Sequence, residues 1–108
     1  MLFSEKLFMA NLYLRGGLNF PDYSKISPFI ENSTTETSKT VSEDGWIFCF
    51  MQLDNNTTRT VKIDGQVVCQ ITSGAEYLNG NEMGGGYPVK KGMVVSATRV
   101  TVKFCPFA

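Results

Sequence analysis

From Asn19 onward, apolar and polar positions alternate with a period of two over much of the chain. It is clearest in TVKIDGQVVCQI, where Val61 and Ile63 alternate before Asp64-Gly65 and Val67, Cys69 and Ile71 alternate after it. An Asp-Gly pair between two alternating runs predicts a hairpin with a type I′ turn, because both central residues of that turn need positive φ. This register places Cys69 with Val67 and Ile71 on the apolar face. After the turn residues Glu43-Asp44-Gly45, the run Trp46 to Leu53 is nearly all apolar and of strand length. Such a run predicts a strand buried on both faces, in a sandwich core or at a subunit interface. At the C-terminus, Val100, Val102 and Phe104 alternate with Thr101, Lys103 and Cys105, and Val94-Val95 begins the strand before it. The polar run Glu31 to Thr40 suits a loop leading into an exposed strand, and Asn55-Asn56 a turn. Thr72 to Tyr87 reads as one long glycine-rich loop. Short strands punctuated by turns, with no helix after Gly17, predict an all-β fold, an antiparallel β-sandwich that is jelly-roll-like.

The first residues follow another rule. MLFSEKLFMANLYLR has no glycine or proline, and Phe3, Leu7, Ala10 and Leu14 are spaced four, three and four apart. That is the spacing of a helix seam, although Phe8, Ala10, Leu12 and Leu14 alternate as a strand would. The expected organisation is therefore a helical or extended segment over residues 1–18 and a sandwich domain over 19–108. An apolar stripe on such a segment needs a partner. It is expected to pack against copies of itself or another protein.

Composition narrows the chemistry. Ten basic residues balance ten acidic ones among 108, so no global field draws the chain to nucleic acid, and a weakly charged surface favours self-association. The chain has no histidine, which removes the usual general base near neutral pH and the Ser-His and Cys-His nucleophile pairs. Cys49, Cys69 and Cys105 are far apart and odd in number. Neither a zinc site nor a disulfide framework is expected, and all three should be reduced, buried thiols. No apolar run approaches the ~20 residues of a membrane span, and the N-terminus lacks the basic start and small-residue cleavage pattern of a signal peptide. No cofactor, no metal, no nucleic acid and no membrane insertion are expected.

Two segments invite a chemical reading. In YPVKKGMVV the lysines precede the glycine and β-like sequence follows, whereas a phosphate loop needs Gly-Lys-Ser/Thr opening a helix. The pattern instead predicts that Pro88 ends the loop, that Lys90-Lys91-Gly92 turns, and that Val94-Val95 starts a strand. The carboxylates of Glu43, Asp44, Glu76 and Glu82 suit turn and surface roles better than paired acid and base. The loop from Ser73 to Tyr87 carries Tyr77, Asn79, Asn81 and Tyr87 among five glycines. Tyrosine supplies contact area at low entropy cost and asparagine supplies hydrogen bonds. These four are the candidate ligand-binding residues. No catalytic residue is assigned.

PDYS at Pro21, VSEDGWIF at Val41, VKIDGQVV at Val61, YPVKKGMVV at Tyr87 and the terminal FCPFA occur in that order. Together they resemble a small β-sandwich domain of bacteriophage tail fibres and related virion proteins, including prophage proteins of gut bacteria. The resemblance covers Pro21 to Ala108. Met93 stands where that group usually has Asp, and Asp64 where Asn is common. The resemblance implies a non-enzymatic module of the virion, assembled in the host cytoplasm and commonly a homotrimer. Its partners would be other virion proteins and a host-surface glycan or protein. The alternative is a head fibre or capsid or tail decoration protein with a purely structural role. The shared motifs are framework residues, so no binding residue carries over.

Overall fold

The computed structural model describes residues 20–52, 57–73 and 82–108. Among them are eight strands and one short 3-10 turn at Tyr23–Lys25. The strands are β1 (Ser27–Ile30), β2 (Thr37–Thr40), β3 (Gly45–Gln52), β4 (Thr57–Ile63), β5 (Gln66–Ser73), β6 (Glu82–Val89), β7 (Val94–Thr98) and β8 (Thr101–Pro106). They form two four-stranded sheets, ordered β1-β8-β3-β6 and β2-β7-β4-β5. Every pairing is antiparallel. Two such sheets face to face, exchanging the chain between them, make a β-sandwich with jelly-roll strand order. The expected N-terminal segment, residues 1–18, lies outside the described residues.

The core follows from alternation. Ile47, Cys49 and Met51 of β3 and Val102 and Phe104 of β8 turn inward from one sheet, against Val61 of β4 and Val95 and Ala97 of β7 from the other. β2 is exposed at every position, as the polar run Glu31 to Thr40 implies. The Asp64-Gly65 hairpin forms with φ of 50° and 79°, the positive pair that a type I′ turn requires.

Two expectations need correction, and a third is met on one face within the described residues. The first concerns Val67. The β4–β5 register slips between Val61 and Lys62: Val61 opposes Cys69 and Lys62 opposes Val67. Val68 is thus the extra residue of a bulge, and a one-residue slip inverts the faces. Cys69 and Ile71 pack on the core, but Val67 joins Lys62 on the outside and is 51 % exposed. The second concerns the glycine-rich loop from Thr72 to Tyr87. β5 continues to Ser73, and Glu82 to Val89 is a full-length strand paired with β3, so Gly84-Gly85-Gly86, Tyr87 and Pro88 are strand residues and Pro88 does not end a loop. The third concerns β3. Its inner face is buried as expected. On its outer face Trp46 and Phe48 are half-buried and Phe50 is 47 % exposed, so the described residues of this chain do not bury both faces.

In this strand aromatic rings stand in for the missing side chains of Gly85 and Gly86. A β-carbon on Gly86 would sit 2.9 Å from Cε1 of Phe48 on the outer face. One on Gly85 would sit 3.2 Å from the Tyr87 hydroxyl on the inner face. Rings lying over bare backbone restore the apolar cover that glycine forfeits, the aromatic rescue known from edge strands. The cover is specific to this pairing, because Phe48 comes from the neighbouring strand.

Candidate functional site

The strand registers divide the sandwich into two ends. At one end Gly45 opposes both Val89 and Pro106. Both described termini lie there: Pro21 bridges Phe107, and Ala108 N–H donates to the Phe20 carbonyl at 2.8 Å. At the other end Gln52 opposes Glu82 and Thr57 opposes Ser73. The strand ends that flank residues 53–56 and 74–81 therefore sit far from the termini, together with the Ser33 carbonyl, which accepts from Arg99 N–H at 2.7 Å.

Turn chemistry occupies the terminal end. Asp44 Oδ1 accepts from Lys91 N–H at 2.8 Å, and Asp64 Oδ1 accepts from Val94 N–H at 2.8 Å. Gly92 has φ of +94° and donates to the Val41 carbonyl. Lys90-Lys91-Gly92 is thus the turn that the sequence implies, held by Asp44. Both lysines are exposed. Asp44 thus serves the turn, through its bond to the Lys91 N–H.

Of the four candidate ligand residues, Tyr77, Asn79 and Asn81 lie outside the described residues. Tyr87 is described, and its place is not a loop. It sits in β6 opposite Ile47, facing the sandwich interior. Its hydroxyl donates to the Val68 carbonyl at 3.4 Å. Burial first, and the contact with Cys69 second, push this phenol up to about 12. Tyr87 therefore tethers the two edge strands β5 and β6. The oligomerisation candidates Phe3, Leu7, Ala10 and Leu14 also lie outside the described residues.

All three cysteines are free; Cys49 and Cys105 are buried and Cys69 is half-buried. Burial pushes the Cys49 thiol up to about 12, and it raises Cys105 as well. Cys105 donates to the Asp22 carbonyl at 2.9 Å. Thiols so placed hold little thiolate near neutral pH and are poor nucleophiles. Titration of the denatured, unreduced protein should find three thiols, and in the folded protein at pH 8 Cys49 and Cys105 should react far more slowly. A single titratable thiol would contradict this arrangement. Among the described residues no three His, Cys, Asp or Glu side chains gather as a metal site would require.

Two features escaped the sequence reading. Arg59 is 4 % exposed, inside the sandwich, where its guanidinium donates to the Thr57 hydroxyl. Its alternation with Val61 and Ile63 was the available signal. The second is the outer face of β3. Trp46 and Phe48 stack with rings 9° from parallel and centroids 6.3 Å apart. Tyr23, 66 % exposed, brings its ring within 6.0 Å of Phe48. Lys103 of β8 places its ammonium 5.2 Å above Phe50, a cation–π geometry. The signal was the aromatic at every second position, Trp46, Phe48 and Phe50.

These features define an all-β sandwich with one terminal end, one far end and one aromatic outer face. Neither a scan against models of known protein families nor a comparison with curated proteins finds a match.

Proposed function

We propose that this chain is a non-enzymatic module of a bacteriophage virion, a fibre or tip domain that contacts the host surface through the end of the sandwich far from its termini. The observation that carries this reading is the polarity of the molecule. Phe20 and Ala108 are hydrogen-bonded neighbours at one end, and the strand ends flanking residues 53–56 and 74–81 lie at the other. A domain tethered at one end leaves the opposite end free to meet a ligand, and connections carried on a rigid scaffold are where binding residues concentrate. The ordered motifs from PDYS to FCPFA supply the virion context. Binding would be weak at each site and strengthened by repetition in a homotrimer.

The test is particle composition followed by adsorption. The chain should be found by mass spectrometry in purified virions of the phage that encodes it. Virions carrying Tyr77→Ala with Asn79→Ala should adsorb to host cells more slowly, with an unchanged melting temperature of the isolated protein. Normal adsorption, with the variant incorporated, would favour the head-fibre or decoration role. Absence from the particle would overturn both.

A further inference from the structure

The aromatic outer face of β3 in the sheet β1-β8-β3-β6 is partly exposed, with Tyr23 beside Phe48 and the Lys103 ammonium over Phe50. On this face Phe50 and Tyr23 are 47 % and 66 % exposed. Contiguous apolar surface of this kind marks a place where something docks. We propose that its occupant is the N-terminal segment of the same chain, residues 2–14, folded back over Trp46, Phe48 and Phe50.

Three observations select that occupant. The first is where the chain enters. Pro21 bridges Phe107, and Asp22 N–H donates to the Pro106 carbonyl at 2.7 Å, so Phe20 arrives beside the end of β8, one strand from Trp46, which opposes Cys105. From there the chain already turns across this face. The Asp22 carbonyl accepts from the Cys105 thiol, the Asp22 carboxylate accepts from Ser24 N–H and its hydroxyl, and the turn delivers Tyr23 to Phe48.

The second observation is reach. Five residues, Arg15 to Asn19, separate Leu14 from Phe20, and they include Gly16-Gly17. Six Cα steps extend to roughly 20 Å, while the row from Trp46 to Phe50 is only about 13 Å long at the rise of a strand. The glycines permit the reversal of direction that folding back demands. The third is composition. Leu2, Phe3, Leu7, Phe8, Leu12 and Leu14 make the segment strongly apolar, with no glycine or proline before Gly16. Segment and face each have apolar surface that water disfavours, and the short connection gives their meeting a high effective concentration.

Trp46 is the only tryptophan in the chain, so its fluorescence reads the face directly. In the full-length protein Trp46 should resist acrylamide quenching, equally at every protein concentration. Leu7→Asp with Leu14→Asp should raise the quenching constant severalfold and shift the emission to the red, with the far-ultraviolet circular dichroism unchanged. Equal quenching in the two proteins would overturn the proposal. Protection that fades on dilution would assign the face to a second copy instead. If the double variant does not fold, the unmodified protein still decides: Trp46 quenched as readily as in the denatured chain would show an uncovered face, open to an external ligand. None of these outcomes depends on where in a virion the chain resides, so this inference and the proposed function fail separately.

Discussion

Replacing Ile47 with alanine is expected to lower the unfolding free energy by about 3–4 kcal/mol, the range for emptying a fully buried branched site. Ile47 has no exposed surface. It is the third residue of β3, opposite Tyr87 on one side and Phe104 on the other. Both neighbours face the same interior, and neither strand can close on the vacated volume without breaking its ladder to β3. For a domain of this size the melting temperature should fall by roughly 15 °C or more. Phe50→Ala is the control on the same strand. Its side chain points outward and is 47 % exposed, so its loss should cost about 1 kcal/mol from the area argument alone. Equal costs measured by urea unfolding would mean that the inner face of β3 is not the core.

The second large effect is expected at Gly45. An added β-carbon there would meet the Cys105 carbonyl oxygen at 2.5 Å and Cζ of Phe104 at 2.6 Å. The carbonyl belongs to backbone paired with β3, where Trp46 opposes Cys105, so it cannot retreat alone. Gly45→Ala should cost about 3 kcal/mol, at the upper end of overpacking penalties. Gly86→Ala offers the contrast. Its nearest obstacle is Cε1 of Phe48 at 2.9 Å, the free edge of a ring on the outer face, which can swing aside. The cost there should be about 1 kcal/mol, with a shift in Trp46 emission as the stacked pair adjusts. A neutral Gly45→Ala, or a Gly86→Ala that unfolds the protein, would contradict this account of the two glycines.

Local chemistry explains which elements were legible without coordinates. The β4–β5 hairpin was visible because Asp64-Gly65 sits between alternating runs, and a type I′ turn depends only on the φ values of its two central residues. Lys90-Lys91-Gly92 was legible for the same reason, once the absence of a following Ser/Thr and helix removed the phosphate reading. β6 was not. Gly84-Gly85-Gly86 has the composition of a loop, and the rings that stand in for side chains at Gly85 and Gly86 come from Phe48, more than thirty residues earlier in the sequence, and from Tyr87. Tyr87 itself, assigned to a ligand loop by its glycine neighbours, faces inward because β6 pairs with β3 in the register that sets it against Ile47. The bulge at Val68 likewise left no mark in the alternation of Val67, Cys69 and Ile71.

By itself, then, the sequence determined the all-β class, the β4–β5 and Lys90-Lys91-Gly92 turns, the exposed β2 and the burial of Val102 and Phe104 in β8, because each depends on residues close together along the chain. Only the tertiary structure decided the sheet order, the strand made from three glycines, and the burial of Arg59. It also decided that Phe20 and Ala108 share one end and that Trp46, Phe48 and Phe50 stand together on an outer face. The physical reason is that these depend on which distant strands pair and in which register. Period-two patterning tells each strand which side to bury, but not which neighbour will bury it.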